Sequence, residues 1–171
     1  MAQMIPGFLE EMLKKQYGEE VFARILAGYQ ARRPVTLRVN PRKADRNAVE
    51  QALTGAGIAF KNVSWYEDAM IIEGAREPEI QELTIYKEGG IYLQSLSSML
   101  PPLFLGPKAG ESVLDMAAAP GGKTTQMAAL SGNQAQITAC EKNKVRSERL
   151  KYNLEKQGAS CAFVMVEDAR K

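Results

Sequence analysis

Apolar side chains at Val21, Phe22, Ile25, Leu26 and Tyr29 recur at helical spacing and predict helix over the first 30 residues. Gly18 sets off a shorter helix around Phe8 to Leu13. After Pro34 the period changes, and Val35-Thr36-Leu37-Arg38-Val39 alternates like a half-buried strand that Pro41 ends. Asp45 or Asn47 can cap a helix running through Leu53, Gly55 and Gly57 stop it, and short strands follow at Ala59 to Val63 and Ala69 to Glu73. Behind its helical lead-in, this is a small α+β unit of βαββ type.

The pattern changes again near Gly89-Gly90, which divides the chain into residues 1–89 and 90–171. Ile91-Tyr92-Leu93 reads as a short strand, Ser95 to Leu105 as a helix broken by Pro101-Pro102, and Glu111 to Asp115 as a buried strand. A helix through Met127 to Leu130 comes next, then a strand at Ile137 to Cys140, a helix from Asn143 to Gln157 closed by Gly158, and a strand at Cys161 to Val166. Strand, helix, strand, helix, strand with short loops is the first half of a doubly wound, Rossmann-like parallel sheet, so the fold class is α/β.

Composition narrows the chemistry. At 171 residues, with 45% apolar and 25% charged side chains, the chain has the make-up of a folded globular protein. It contains no histidine, which excludes imidazole catalysis and His-ligated metals, and its two cysteines, Cys140 and Cys161, cannot build a disulfide framework or a zinc site. No stretch approaches the roughly 20 apolar residues of a membrane span, and the expectation is a soluble, cytoplasmic protein without membrane partners. The net charge is only +2, but six cations fall between Arg32 and Arg46 against the single acid Asp45. That segment, with Arg32, Arg33, Arg38, Arg42 and Lys43, is the candidate surface for RNA phosphates, the competing reading being a solvated charged face.

The candidate site lies between the first core strand and its helix, at Asp115-Met116-Ala117-Ala118-Ala119-Pro120-Gly121-Gly122-Lys123-Thr124. Gly-Lys-Thr also ends the phosphate-binding pattern of nucleoside triphosphatases, but Ala117 stands where that pattern needs glycine and Pro120 removes an N–H donor. Ligands of such sheets bind at the carboxyl ends of the strands. There the small-residue loop lets a ligand approach the backbone, Glu141 ends the second strand where a ribose can be held, and Glu167-Asp168 end the third near an adenine. The three together form an adenosine-binding arrangement.

This run resembles the D-x-C-A-A-P-G-G-K-T signature of the NOL1/NOP2/Sun family of RNA cytosine-C5 methyltransferases, with Ala117 where Cys is common. The resemblance continues through Gly90 to Ser95, Ser97-Ser98-Met99 and Thr36 to Asn40, and the layout is most like the bacterial branch that modifies ribosomal RNA. It implies S-adenosyl-L-methionine as cofactor, held by Ala117, Ala118, Ala119, Pro120, Gly121, Gly122 and Lys123, with Glu141 as ribose acid, Arg146 as its basic partner and Asp168 at the adenine end. Asp115 fits a loop-shaping acceptor better than a direct ligand.

In this family a Cys thiolate adds to C6 of cytosine so that C5 can take the methyl group, and the nucleophile and a second, product-releasing Cys sit in Pro-Cys contexts on loops after the fourth and fifth strands. Cys140 follows Ala139 and Cys161 follows Ser160, so both read as small buried side chains. The implied chain is therefore the N-terminal part of a methyltransferase, carrying the cofactor loop but no catalytic residue, the nucleophilic Cys lying beyond Lys171. The alternative is a non-catalytic RNA-binding module with a vestigial cofactor loop. A sheet cut at this point would leave the Val113-Leu114 strand with one unpaired edge, able to mediate self-association.

Overall fold

The computed structural model describes residues 5–31 and 33–170, and the chain forms two compact units, Met1–Pro34 and Val35–Lys171. The first unit is helix α1 (Gly7–Gln30), interrupted at Gly18, whose φ of 78° is a left-handed conformation that glycine adopts without steric cost. Phe22 is its buried side chain, and Lys14 pairs with Glu10 at 3.0 Å.

The second unit opens with β1 (Val35–Val39), α2 (Arg46–Gly55), β2 (Ala59–Asn62) and β3 (Ala69–Glu73). Asp45 caps α2 by accepting the Ala48 amide at 2.8 Å. Two short helices absent from the sequence reading follow, α3 (Glu77–Glu82) and α4 (Thr84–Lys87). Their start signal was present, since Pro78 and two acids occupy the first turn of α3. Next come β4 (Ile91–Leu93), α5 (Leu96–Leu105), β5 (Ser112–Asp115), α6 (Gly122–Leu130), β6 (Gln136–Cys140), α7 (Lys144–Gln157) and β7 (Ala162–Met165).

Two sheets result. The first is antiparallel in the order β2-β3-β1-β4, so the strand beyond Gly90 pairs with β1, Arg38 lying opposite Tyr92. The second is parallel in the order β5-β6-β7, with Val113 opposite Ile137 and Ile137 opposite Ala162. This is a mixed α/β fold with a Rossmann-like parallel half.

Alternation along β1 sorts its side chains onto two faces. Leu37 and Val39 enter a core with Val49, Leu53, Met70, Ile72, Ile80 and Ile91. Thr36, Arg38 and Asn40 point the other way, and that face is covered too. The Asn40 amide donates to the carbonyls of Gly89 and Gln157, both at 2.9 Å. Arg38 is 0% exposed, its Nε donating to Gln94 Oε1 at 3.1 Å and its Nη2 to Thr125 Oγ1 at 3.0 Å.

The break expected at Pro101-Pro102 does not occur, and α5 runs through both prolines. Proline lacks the N–H that would bond the carbonyl four residues back. For Pro102 that carbonyl belongs to Ser98, and the Gln94 side chain donates to it at 3.1 Å instead. Gln94 also donates to Gln126 Oε1 at 3.0 Å, and Gln126 Nε2 donates to the Met99 carbonyl at 2.9 Å. The Gln94 amide supplies the donor that Pro102 lacks, whereas the Met99 carbonyl is in register with Leu103, so the Gln126 bond ties α6 to α5 and replaces no lost rung. Met99 itself packs with Val63, Tyr66 and Ala69, behind the antiparallel sheet.

Replacing Arg38 by Met keeps the volume but leaves the Gln94 acceptor without its donor. Urea denaturation should show a loss of about 1–3 kcal/mol, the usual cost of a buried polar group left unpaired.

Candidate cofactor-binding site

The loop after β5 is shaped by its own acid. Asp115 Oδ2 accepts from the Thr124 hydroxyl at 2.7 Å, and Oδ1 accepts from the Ala117 amide at 3.3 Å. The Ala118 amide donates to the Cys140 carbonyl at 3.0 Å, which ties the loop to the end of β6. Two side chains of α7 hold the far end, Arg146 Nη2 on the Ala119 carbonyl at 2.9 Å and Asn153 Nδ2 on the Pro120 carbonyl at 2.7 Å.

Glycine is required where this loop turns into α6. Gly121 has a φ of 111°, and a Cβ there would lie 3.1 Å from Leu150 Cδ1 on α7. A Cβ on Gly122 would lie 3.2 Å from the Tyr92 ring. With the backbone turned this way, α6 starts without a side-chain cap, and its first N–H groups have no acceptor within the helix. Such a terminus favours a negative group.

The structure places the expected site residues around two cavities that share Ala117. The larger, about 340 Å³, is bordered by Met116, Ala117, Glu141, Arg146, Glu167 and Asp168. The smaller, about 210 Å³, is bordered by Ala118, Ala119, Pro120, Gly122 and Lys123, facing Tyr92 to Ser95 and Ser98. Gly121 borders neither and serves the turn, and Lys123 stands at the smaller cavity rather than beside the acids.

Glu141 is only 5% exposed, accepts the Asn143 amide at 2.9 Å, and its Oε2 lies 3.3 Å from Arg146 Nη1. Arg146 therefore links the acid to the loop through the Ala119 carbonyl. Asp168 accepts from Arg170, which holds its carboxyl near pKa 2, so it is anionic at neutral pH. The larger cavity thus offers two fixed carboxylates beside a wall of small side chains. Its volume lies at the lower end of the roughly 300–1,000 Å³ of small-molecule sites, and its acceptors fit an adenosine, with carboxylates to accept from ribose hydroxyls and from an exocyclic amine.

Neither cysteine fits a nucleophile. Cys140 is buried within β6, and burial pushes the Cys161 thiol up, away from the thiolate. The cationic segment divides as well. Arg33, Arg42 and Lys43 are exposed and Arg32 lies outside the described residues. Arg38 corrects the sequence reading: fully buried and bonded to Gln94 and Thr125, its guanidinium is not on the surface to meet a phosphate. Sequence reasoning gave no role to Gln94, although it lies in the Gly90 to Ser95 stretch of the resemblance, and missed Gln126; their buried amides tie α6 to α5.

Comparison with known proteins places this geometry. The 16S rRNA methyltransferase RsmB/F family matches residues 102–171, and the RsmF/B-like, ferredoxin-like domain matches residues 5–78. The chain belongs to the RsmB/F family of the NOL1/NOP2/Sun methyltransferases. It is 34% identical to the 25S rRNA (cytosine-C(5))-methyltransferase nop2 of Schizosaccharomyces pombe over 96% of this chain and 27% of that protein. It is 36% identical to the ribosomal RNA small subunit methyltransferase F of Shewanella amazonensis over 80% of this chain and 30% of that protein. Among solved structures, a methyltransferase homologue from Pyrococcus horikoshii superposes with a TM-score of 0.79 at 29% identity, covering 96% of this chain and 58% of that one. The chain spans less than a third of the length of the two curated relatives.

The turn into α6 makes a local test. Gly121→Ala should destabilise the protein by about 1–3 kcal/mol, because alanine is strained at this φ and meets Leu150. Gly110→Ala, at a similar φ of 81° but with open space around its Cβ, should cost less in the same thermal melts.

Proposed function

We propose that this chain is the cofactor-holding and RNA-facing part of an S-adenosyl-L-methionine-dependent RNA cytosine-C5 methyltransferase acting on ribosomal RNA. The observation that carries the reading is the convergence of Ala117, Glu141 and Asp168 on one cavity at the carboxyl ends of three parallel strands. Membership of the family and the names of the relatives support the reaction class. S-adenosyl-L-methionine, when bound, supplies an electrophilic methyl group. The chain's own residues bind and orient it: Glu141 holds the ribose hydroxyls, Asp168 meets the adenine end, and the α6 terminus with Lys123 favours the carboxylate.

Neither Cys140 nor Cys161 borders the cavity, so neither is assigned as the nucleophilic thiol. Exposed Arg33, Arg42 and Lys43 face RNA phosphates, the protein working in the cytoplasm. No described helix is long and apolar enough to cross a membrane.

Calorimetry tests the assignment. With the cavity bounded by only three strands, S-adenosyl-L-methionine should bind at high-micromolar affinity, about −5 to −6 kcal/mol. Glu141→Ala should abolish that binding. Affinity unchanged in the variant removes the ribose assignment, and no binding by the parent chain favours the RNA-binding module with a vestigial loop.

The edge strand β5 also supports self-association. One side of it is unpaired among the described residues, and Leu114 and Phe163 on the open face are 56% and 67% exposed. Sedimentation velocity over a concentration series should show dimers or larger species, which Leu114→Lys shifts back toward monomer. A concentration-independent monomer contradicts this.

A further inference from the structure

Beside β4, away from the two carboxylates, a third cavity of about 190 Å³ lies between α3–α4 and α7. Two aromatic residues, Tyr86 and Tyr92, two cations, Arg149 and Lys156, and one acid, Glu77, border it, with Gln157 among the other lining residues. Gln157 is 3% exposed. Its Nε2 donates to the Ile91 carbonyl at 3.2 Å, but its Oε1 has no donor among the described residues. Buried acceptors are nearly always bonded to protein or water, and this one, at the wall of the cavity, is open to an N–H or O–H that a small shift of the Gln157 amide would meet.

The surroundings narrow what that is. A backbone phosphodiester offers no donor and would meet Glu77, so it does not suit the buried end. The cavity is smaller than the roughly 300 Å³ at which sites for drug-sized molecules begin, so it admits one planar ring rather than a whole cofactor. Tyr86 and Tyr92 supply ring surface, and Lys156 Nζ already lies 3.7 Å from the Tyr86 centroid. Arg149 is exposed. The neighbouring surface is cationic. Asn40 bonds the Gln157 carbonyl, and the stem of Lys43 lies so close to Gly158 that a side chain there would meet it at 3.1 Å. The exposed Arg42-Lys43 segment therefore adjoins this end of α7.

We propose that this cavity takes one unpaired nucleobase of the RNA, its N–H edge donating to Gln157 Oε1, its face against the tyrosines and its phosphate on Arg149. The proposal rests on the RNA reading given above, and it adds a base-holding subsite next to the cofactor loop, since Tyr92 and Pro120 border both cavities.

A fluorescein-labelled oligocytidylate of about twelve nucleotides, within the length range of single-strand sites, is titrated by anisotropy with the whole chain and with Tyr86→Leu, Arg149→Ala and Gln157→Met. Each variant should bind at least about fivefold more weakly, the low end of what a lost stacking contact removes. Arg149→Ala should also lower the salt dependence by about one phosphate contact. S-adenosyl-L-methionine affinity, read separately by calorimetry, should not change. Arg149 is exposed, so its variant reports on the site even if the buried substitutions do not fold. Substituting 5-bromocytidine should give photo-crosslinks at Tyr86 or Tyr92. Equal RNA binding by parent and Arg149→Ala, with crosslinks elsewhere, overturns the subsite and leaves the RNA reading intact. No RNA binding by the parent chain overturns both.

Discussion

Burial of the Arg38 guanidinium constrains nearly everything around the cofactor loop. A charged side chain at 0% exposure is costly to desolvate, and burial pushes its pKa down, an effect that Tyr66 and Asp68 partly counter. Hydrogen bonds from Nε to Gln94 and from Nη2 to Thr125 compensate in part, with the Tyr92 ring 5.9 Å away, while Nη1 has no partner among the described residues. Both partners have to be where the planar guanidinium points. Thr125 belongs to the first turns of α6, so a residue of the antiparallel sheet fixes the helix that starts at the cofactor loop. Gln94 extends the network to Ser98 and Gln126, supporting α5 past its prolines.

The same network explains why the two sheets are not independent layers. Thr36, Arg38 and Asn40 face the parallel half, and Asn40 reaches the end of α7 as Arg38 reaches the start of α6. Ala118, Ala119, Met127, Ala128, Leu150 and Leu154 join Ile137 and Ala139 in a second core. The glycine turn, the α7 side chains on Ala119 and Pro120, and Asp115 under the loop then set the wall of the crevice. Glu141 and Asp168 arrive at its rim because β6 and β7 run parallel to β5 and end at the same level. One row of the parallel sheet, Leu114 and Phe163, stays exposed, although parallel sheets are usually covered on both faces.

The sequence by itself determined the elements whose signals are local. The Gly18 interruption, a cap at Asp45 or Asn47, the alternation of β1, the β-α-β-α-β order after Glu111 and the loop from Asp115 to Lys123 all follow from side-chain period, caps and glycines, which act within a few residues. The signature in that loop also carried the family. What only the tertiary structure decided concerns faces and neighbours. Alternation told that Arg38 lies opposite the apolar side of β1, but not that a second layer covers that side, so a cation expected at an RNA surface became the buried centre of the fold. Pro101-Pro102 broke a helix by local rule, yet the Gln94 side chain, folded back by its bonds to Arg38 and Gln126, supplies a donor to the Ser98 carbonyl and the helix continues. Glu141 and Asp168 share a cavity, Lys123 borders another, and Gln157 has an unmet acceptor. Each depends on contacts between residues tens of positions apart, which periodicity along the chain does not encode.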